Sequence, residues 1–158
     1  MKFEGLIRKV TKALQALKSA LNGYSESIPI QVLETRFVVE KAPGFRNYTE
    51  HSTIYRVNEQ VNMYFEPVGI RWKNIGKGLV GVNLNTDVRI ETADGSFKLE
   101  RKNVGLINAT AKSPSNDFFM NFFIDSRGYP AGTYVVEITL HDIFKMQQTS
   151  FTRQFTLK

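Results

Sequence analysis

The chain has 158 residues, no cysteine, and 21 Lys plus Arg against 15 Asp plus Glu. That length suits one domain whose core is large enough to need no staple. Without cysteine, disulfides and thiolate chemistry are excluded, and His51 and His141 are too few and too far apart in sequence to build a zinc site. The net charge of +6 is concentrated at one end: residues 1–23 carry Lys2, Arg8, Lys9, Lys12 and Lys18 against Glu4. Setting those aside leaves 16 bases against 14 acids. No run approaches the roughly 18 apolar residues of a membrane span, and no secretory apolar stretch of about 7–15 residues follows Met1. A cytoplasmic chain, or an exported one that has lost its signal, is therefore expected.

Phe3, Leu6, Ile7, Val10, Leu14, Leu17 and Leu21 recur at steps of three and four. This spacing predicts an amphipathic helix over 2–21, stopped by Asn22-Gly23. Its other face is basic and polar. The apolar stripe is expected to pack on protein, either its own domain or a second copy, with a membrane surface as the alternative. The predicted organisation is a helical segment 1–23, a polar linker 24–29 and a β-domain 30–158.

Beyond the linker the pattern turns to period two. An extended segment over 30–40 has Val32, Phe37 and Val39 inward. A loop over 42–53 opens on the Pro43-Gly44 turn signal. Val61, Met63 and Phe65 alternate with polar neighbours over 60–66, and Pro67 and Gly69 end that strand. Ile70 to Lys73 forms a short strand or an aromatic loop. From Leu79 to Thr92 the residues Val80, Val82, Leu84, Thr86, Val88 and Ile90 share one parity, and Asp94-Gly95 marks a hairpin turn. Phe97 to Arg101 returns, and Val104 to Lys112 is a further short strand. Phe118 to Ile124 is nearly all apolar and predicts a strand covered on both faces. The segment Tyr129 to Asp142 is the clearest strand: Tyr134, Val136, Ile138 and Leu140 point one way, and Val135, Glu137, Thr139 and His141 the other. It is expected to be central, flanked by the segments before and after it. Phe151, Phe155 and Leu157 close the sheet.

Seven or eight strands with turn signals at short intervals, and no strand-helix alternation, define an all-β class: an immunoglobulin-like antiparallel β-sandwich after an N-terminal amphipathic α-helix. The expected core comprises Phe37, Val61, Met63, Phe65, Val82, Leu84, Val88, Ile90, Phe118, Met120, Phe122, Tyr134, Val136, Ile138, Leu140 and Phe155.

Three stretches together carry a family likeness: Arg36-Phe37-Val38 with Ala42-Pro43-Gly44-Phe45; Val61 through Gly69; and Asp117 through Phe122 leading into Pro130-Ala131-Gly132-Thr133-Tyr134. Over residues 30–158 the chain resembles a group of bacterial, usually exported proteins with an immunoglobulin-like sandwich. The resemblance implies that fold and a periplasmic or extracellular location. It implies no catalytic residue. Members of the group usually begin with a signal peptide, where this chain has a basic amphipathic helix.

No chemical motif stands out. No Gly-x-Ser-x-Gly turn holds a serine, no Asp-x-Asp-x-Asp loop offers a calcium site, and Gly76-Lys77-Gly78 lacks the pattern of a phosphate loop. Adjacent strand residues such as His141 and Asp142 face opposite sides. Neither a cofactor nor a metal is expected. The expected function is therefore a non-enzymatic binding or assembly module. Its contacts would run through the helix and through an end-loop group, Phe45, Arg46, Tyr48, Arg71, Trp72 and Lys73, whose aromatic and arginine content is typical of interface anchors. The partner would be protein or a second copy. Carbohydrate on Trp72 or Tyr48 is a variant, and nucleic acid would require the basic and aromatic loops to meet in one stripe. An enzyme with an unrecognised site is the alternative, recognisable by a histidine in a pocket with both a carboxylate and a hydroxyl in reach.

Overall fold

A computed structural model describes residues 2–158, although the side chains of residues 2–4, 22 and 25 lie outside the description. Helix α1 runs Lys2–Ser27, followed by nine strands: β1 Gln31–Val38, β2 Ile54–Tyr55, β3 Gln60–Val68, β4 Lys73–Gly76, β5 Leu79–Thr92, β6 Lys98–Ala111, β7 Met120–Asp125, β8 Gly132–Asp142 and β9 Gln147–Leu157. Asn22-Gly23 does not stop the helix. The chain continues helical to Ser27, whose hydroxyl donates to the Tyr24 carbonyl at 2.7 Å, and the linker shrinks to Ile28–Ile30.

The strands form an immunoglobulin-like sandwich of two sheets. One is β1-β3-β7, antiparallel throughout. The other runs β2-β9-β8-β5, with β6 on the far edge of β5. Gly81 pairs with Lys73 of β4 and with Thr110 of β6, so β4 lies on the β8 side of β5, just beyond the end of β8. Only the two-residue β2 runs parallel to its neighbour.

Alternation places one face of β5 and of β8 in the core. Leu84, Ile90, Tyr134, Val136, Ile138 and Leu140 are fully enclosed from the large sheet, and Val61, Met63 and Phe65 from the small one. Aromatic rings join the sheets: Phe37 meets Phe155 at 6.2 Å and Tyr55 at 5.9 Å edge-on, and Phe65 meets Phe151 at 5.1 Å. Such pairs add about 0.5–1.5 kcal/mol each beyond their buried area.

Several expectations need correction. Val39 lies beyond β1 and is exposed. The segments 97–101 and 104–112 are one strand, β6, with its irregularity at Asn103, which takes φ 57°. Thr86 is buried against that strand, and its hydroxyl donates to the Gly105 carbonyl at 3.3 Å. A Cβ at residue 105 would stand 2.5 Å from the Thr86 hydroxyl, so only glycine allows the approach. The apolar run 118–124 is not covered on both faces: β7 is an edge strand, Phe118 and Phe122 are half-buried, and Phe123 is 63% exposed. Nor does β7 flank β8. It crosses to the small sheet, and β5 takes the place beside β8, with Val88 opposite Ile138.

Candidate binding surfaces

Phe45, Arg46 and Tyr48 lie on the loop that covers the outer face of the small sheet. There a second, smaller core forms from Val38, Ala42 and Tyr64, with Tyr48 and Phe119 packed on it. Alternation explains it: Tyr64 and Glu66 have the parity opposite to Met63 and Phe65, so they point outward and require a lid. The loop supplies one. Asn121 of β7 accepts the Ala42 N–H at 2.9 Å and donates to the Ala42 carbonyl at 3.1 Å. Arg46 takes φ 53°, and its backbone N–H donates to the Tyr64 hydroxyl at 3.0 Å. That hydroxyl donates to Glu66 at 2.8 Å, and the Arg46 guanidinium closes the ring on the same carboxylate at 3.1 Å. Tyr48 tilts over Tyr64 at 4.5 Å, and the Arg46 guanidinium lies 5.1 Å above the Phe45 ring.

Glu66 is 3% exposed and ionised. Burial pushes its pKa up, but the hydrogen bonds from Arg46 and Tyr64 outweigh burial and hold it below the usual carboxylate range. Burial above all pushes the Tyr64 phenol up to about 12. A carboxyl whose folded pKa is depressed takes up its proton more readily when unfolded. Its stabilisation is present above the ordinary value of 4.5 and is lost as pH falls through the folded value. Asp94 and Asp125, both held at about 2, add to the same slope between about pH 4 and pH 2. Thermal melting across pH 7 to 2 should therefore fall most steeply below pH 4. Glu66→Gln should melt lower at pH 7 and decline less steeply in acid. An unchanged acid slope in that variant would remove Glu66 from the account.

The other half of the end-loop group lies elsewhere. Trp72 is half-buried and meets Phe118 edge-on at 6.1 Å, beside the main core. The Lys73 ammonium sits 5.3 Å above the Phe144 ring. The Arg71 backbone N–H donates to buried Asp142 at 2.7 Å, and its side chain is exposed. Among the described residues no hydrogen bond, ion pair or aromatic contact joins Phe45, Arg46 and Tyr48 to Arg71, Trp72 and Lys73. The structure thus presents two separate clusters, and in both the aromatic ring is partly covered by a neighbour.

His141 does have a carboxylate partner. Its Nε2 lies 3.0 Å from Asp87 Oδ2, in a shallow depression of about 340 Å³ that Arg89, Glu100, Lys102 and Glu137 also line. The Asn103 backbone N–H at 2.9 Å, and to a lesser degree His141, hold Asp87 below its usual pKa. No hydroxyl bonds to His141 among the described residues, and the neighbouring Thr139 hydroxyl is engaged with Ser150 at 2.8 Å. His51 stacks on Tyr55 at 4.2 Å, bonds through Nδ1 to the Ser52 carbonyl at 2.7 Å and lies 3.7 Å from Glu59. Among the described residues, therefore, neither histidine has both the carboxylate and the hydroxyl that a hydrolytic site requires. No group of three or more His, Asp or Glu among the described residues is placed to hold a metal ion.

A continuous stripe of exposed apolar side chains runs along α1. Leu6, Ile7, Val10, Leu14, Leu17 and Leu21 are each 48–58% exposed, which for a helical side chain means contact with little beyond its own helix. Phe3 belongs to the same stripe by sequence, but its side chain lies outside the described residues. No described helix is long and apolar enough to cross a membrane.

The root of α1, by contrast, is firmly held, by residues that composition and periodicity did not single out. The Lys145 ammonium, from the turn between β8 and β9, donates to the carbonyls of Glu26 at 2.8 Å, Ile28 at 2.5 Å and Gly69 at 2.7 Å. A cation on the last carbonyls of a helix also complements the helix dipole. Asp142 fixes the Lys145 end of this clamp by accepting the Lys145 backbone N–H at 3.0 Å. Gly69 has φ 71°, and a Cβ there would stand 2.5 Å from the Pro29 carbonyl, so the linker lies tight against it. Buried Glu66 and Asp142 gave no periodicity signal: Glu66 is bonded by Arg46, 20 residues away, and Asp142 by the Arg71 backbone, 71 residues away.

Fold and surface together define a class: an immunoglobulin-like sandwich that carries an exposed amphipathic helix on a fixed root. No protein-family model matches the chain, and no curated protein matches it. Among solved structures it is similar to the PKD domain of an M14-like peptidase from Thermoplasmatales archaeon SCGC AB-540-F20, with 19% identity over 66% of this chain and 84% of that one. The TM-score is 0.36, too loose a match to assign strands or function.

Proposed function

We propose that this protein is a non-catalytic binding or assembly module in which the sandwich is the mount and α1 is the contact element. One observation carries the reading: the apolar stripe from Leu6 to Leu21 is left in water while the end of the same helix is clamped by Lys145. In proteins most of a helix's stability comes from packing of its apolar face rather than from propensity. Full burial of a large aliphatic side chain is worth about 1.5–3 kcal/mol, so the four leucines of the stripe, with Ile7 and Val10, form a strong contact surface. The two end-loop clusters and the His141 depression are smaller and more polar, and their side chains are largely engaged with one another. An exported location, which the sequence resemblance implies, belongs to this proposal as well.

Deletion of residues 1–23 tests the assignment. The truncated protein should keep a cooperative β-sheet melt near the intact midpoint, since the stripe contributes little to the sandwich. It should lose whatever association the intact chain shows in light scattering or in flotation with anionic vesicles. If intact and truncated proteins match in mass and in flotation, α1 is not the contact element. Flotation of the intact chain, lost on deletion, would favour a membrane-surface role for the same stripe.

A further inference from the structure

We infer that α1 pairs with the α1 of a second copy in a coiled coil, so that the chain self-assembles through its N-terminal helix. The inference rests on the proposed role of α1 as the contact element and names the partner. Ile7, Leu14 and Leu21 alternate with Val10, Leu17 and Tyr24 at steps of three and four without a break, and Phe3 extends the series by sequence. That is a heptad seam, with Ile and Leu at a and Val, Leu and aromatic residues at d, sustained over three turns of the repeat.

The flanking positions agree with a helical partner. On one side of the seam stand Leu6, Ala13 and Ala20, apolar or small, which lets a second helix approach closely. On the other stand Thr11 and Lys18, so no like-charge pair is forced across a two-helix interface. Arg8, Lys9 and Lys12 fall on the far side, where they stay solvated. In that position they would point away from an anionic surface into which the seam was sunk, whereas membrane-surface helices use such residues against the headgroups.

Area points the same way. Seam and flanking side chains at about half exposure offer roughly 600 Å² per helix, so a pair would cover on the order of 1,200 Å², the lower edge of stable specific interfaces. The seam also continues onto the sandwich: Leu21 and Tyr24 line an apolar cleft of about 410 Å³ with Leu33 and Val68 at the helix root. The Lys145 clamp holds the helix so that this surface stays presented.

The test is sedimentation of the full chain at tens of micromolar, with and without vesicles of anionic lipid. The intact protein should show at least twice the monomer mass. Leu14→Asp, on the seam, should halve that mass or reduce it further and lower the helical circular dichroism. Lys12→Asp, on the opposite face, should leave both unchanged. Because the chain has no cysteine, Leu14→Cys and Leu17→Cys variants offer a second readout. Under mild oxidation, one of them or an equimolar mixture should form a covalent dimer that Lys12→Cys does not. A monomeric intact protein overturns the inference. If that monomer floats with vesicles, the contact role of α1 survives with lipid as its partner. If it does not float, both readings fall.

Discussion

Tyr134→Ala is expected to destabilise the sandwich more than any other single substitution considered, by about 3–5 kcal/mol, the range for removing a large buried aromatic side chain. The ring has no exposed surface. It stacks on Phe155 at 5.4 Å and meets Phe97 at 5.4 Å and Tyr129 at 5.7 Å, so it links β8 to β9 and to the hairpin after β5. Its hydroxyl donates to the Pro130 carbonyl at 2.6 Å, four residues earlier, which ties the turn to the strand it opens. Alanine would leave a cavity that three rings cannot collapse to fill, and it would orphan that carbonyl. For a domain of this size the midpoint should fall on the order of 10 °C. Tyr134→Phe separates the two contributions: it keeps the packing and removes one hydrogen bond, so it should cost about 1 kcal/mol. Urea unfolding checks both, with the midpoint shifted and the slope retained. If alanine were tolerated within about 1 kcal/mol, the aromatic cluster would not be the structural centre described above.

Lys145→Met should have the next largest effect, and one more localised. Methionine keeps the apolar stem and removes the ammonium on which three carbonyls converge. Hydrogen bonds to a charged group contribute about 1.5–3 kcal/mol each at most, and water can reach part of this site, so a total loss of about 1.5–3 kcal/mol is expected. The midpoint should fall on the order of 5 °C. The distinguishing readout is local. Amide exchange should accelerate over the last turn of α1 and the Ile28–Ile30 link while the strands β5 and β8 stay protected. Lys145→Arg, which keeps the charge but not the compact geometry, should recover only part of that protection. Uniform acceleration throughout the sheet would show that Lys145 supports the sandwich as a whole and does not specifically clamp the helix.

Both residues bear on how the proposed contact surface works. Tyr134 stabilises the mount. Lys145 sets the direction in which α1 leaves it, so loss of the clamp should weaken assembly without altering the seam itself. The pair therefore separates a folding defect from a presentation defect in one set of measurements.

The strands were legible because their signal is local. Alternation over Leu79–Thr92 and Gly132–Asp142 states which side chains are buried without reference to any partner, since a one-residue slip would turn Val82, Leu84, Val88, Ile90, Val136, Ile138 and Leu140 toward water. The stripe of α1 was legible for the same reason at a different period. Strand partnership was not legible. The apolar run at 118–124 reads as doubly covered, but its strand is at a sheet edge with Phe123 exposed, because composition reports hydrophobicity and not which sheet receives it.

The candidate site shows the same division. Residue types alone brought Phe45, Arg46, Tyr48, Arg71, Trp72 and Lys73 together as aromatic and basic loop residues. Folding sends them to two places: Arg46 closes a ring with Tyr64 and Glu66 over the small sheet, and Trp72 packs on Phe118. Glu66, Asp142 and Lys145 matter through partners 20, 71 and up to 119 residues away, a separation that no periodic pattern records. Sequence by itself determined the all-β class, the buried parity of the long strands and the amphipathic face of the helix, because each depends only on where side chains fall along a regular backbone. Tertiary structure decided which sheet each strand joined, which charges were enclosed and that the helix face was left open, because each of those depends on which distant surfaces the closed chain can bring together.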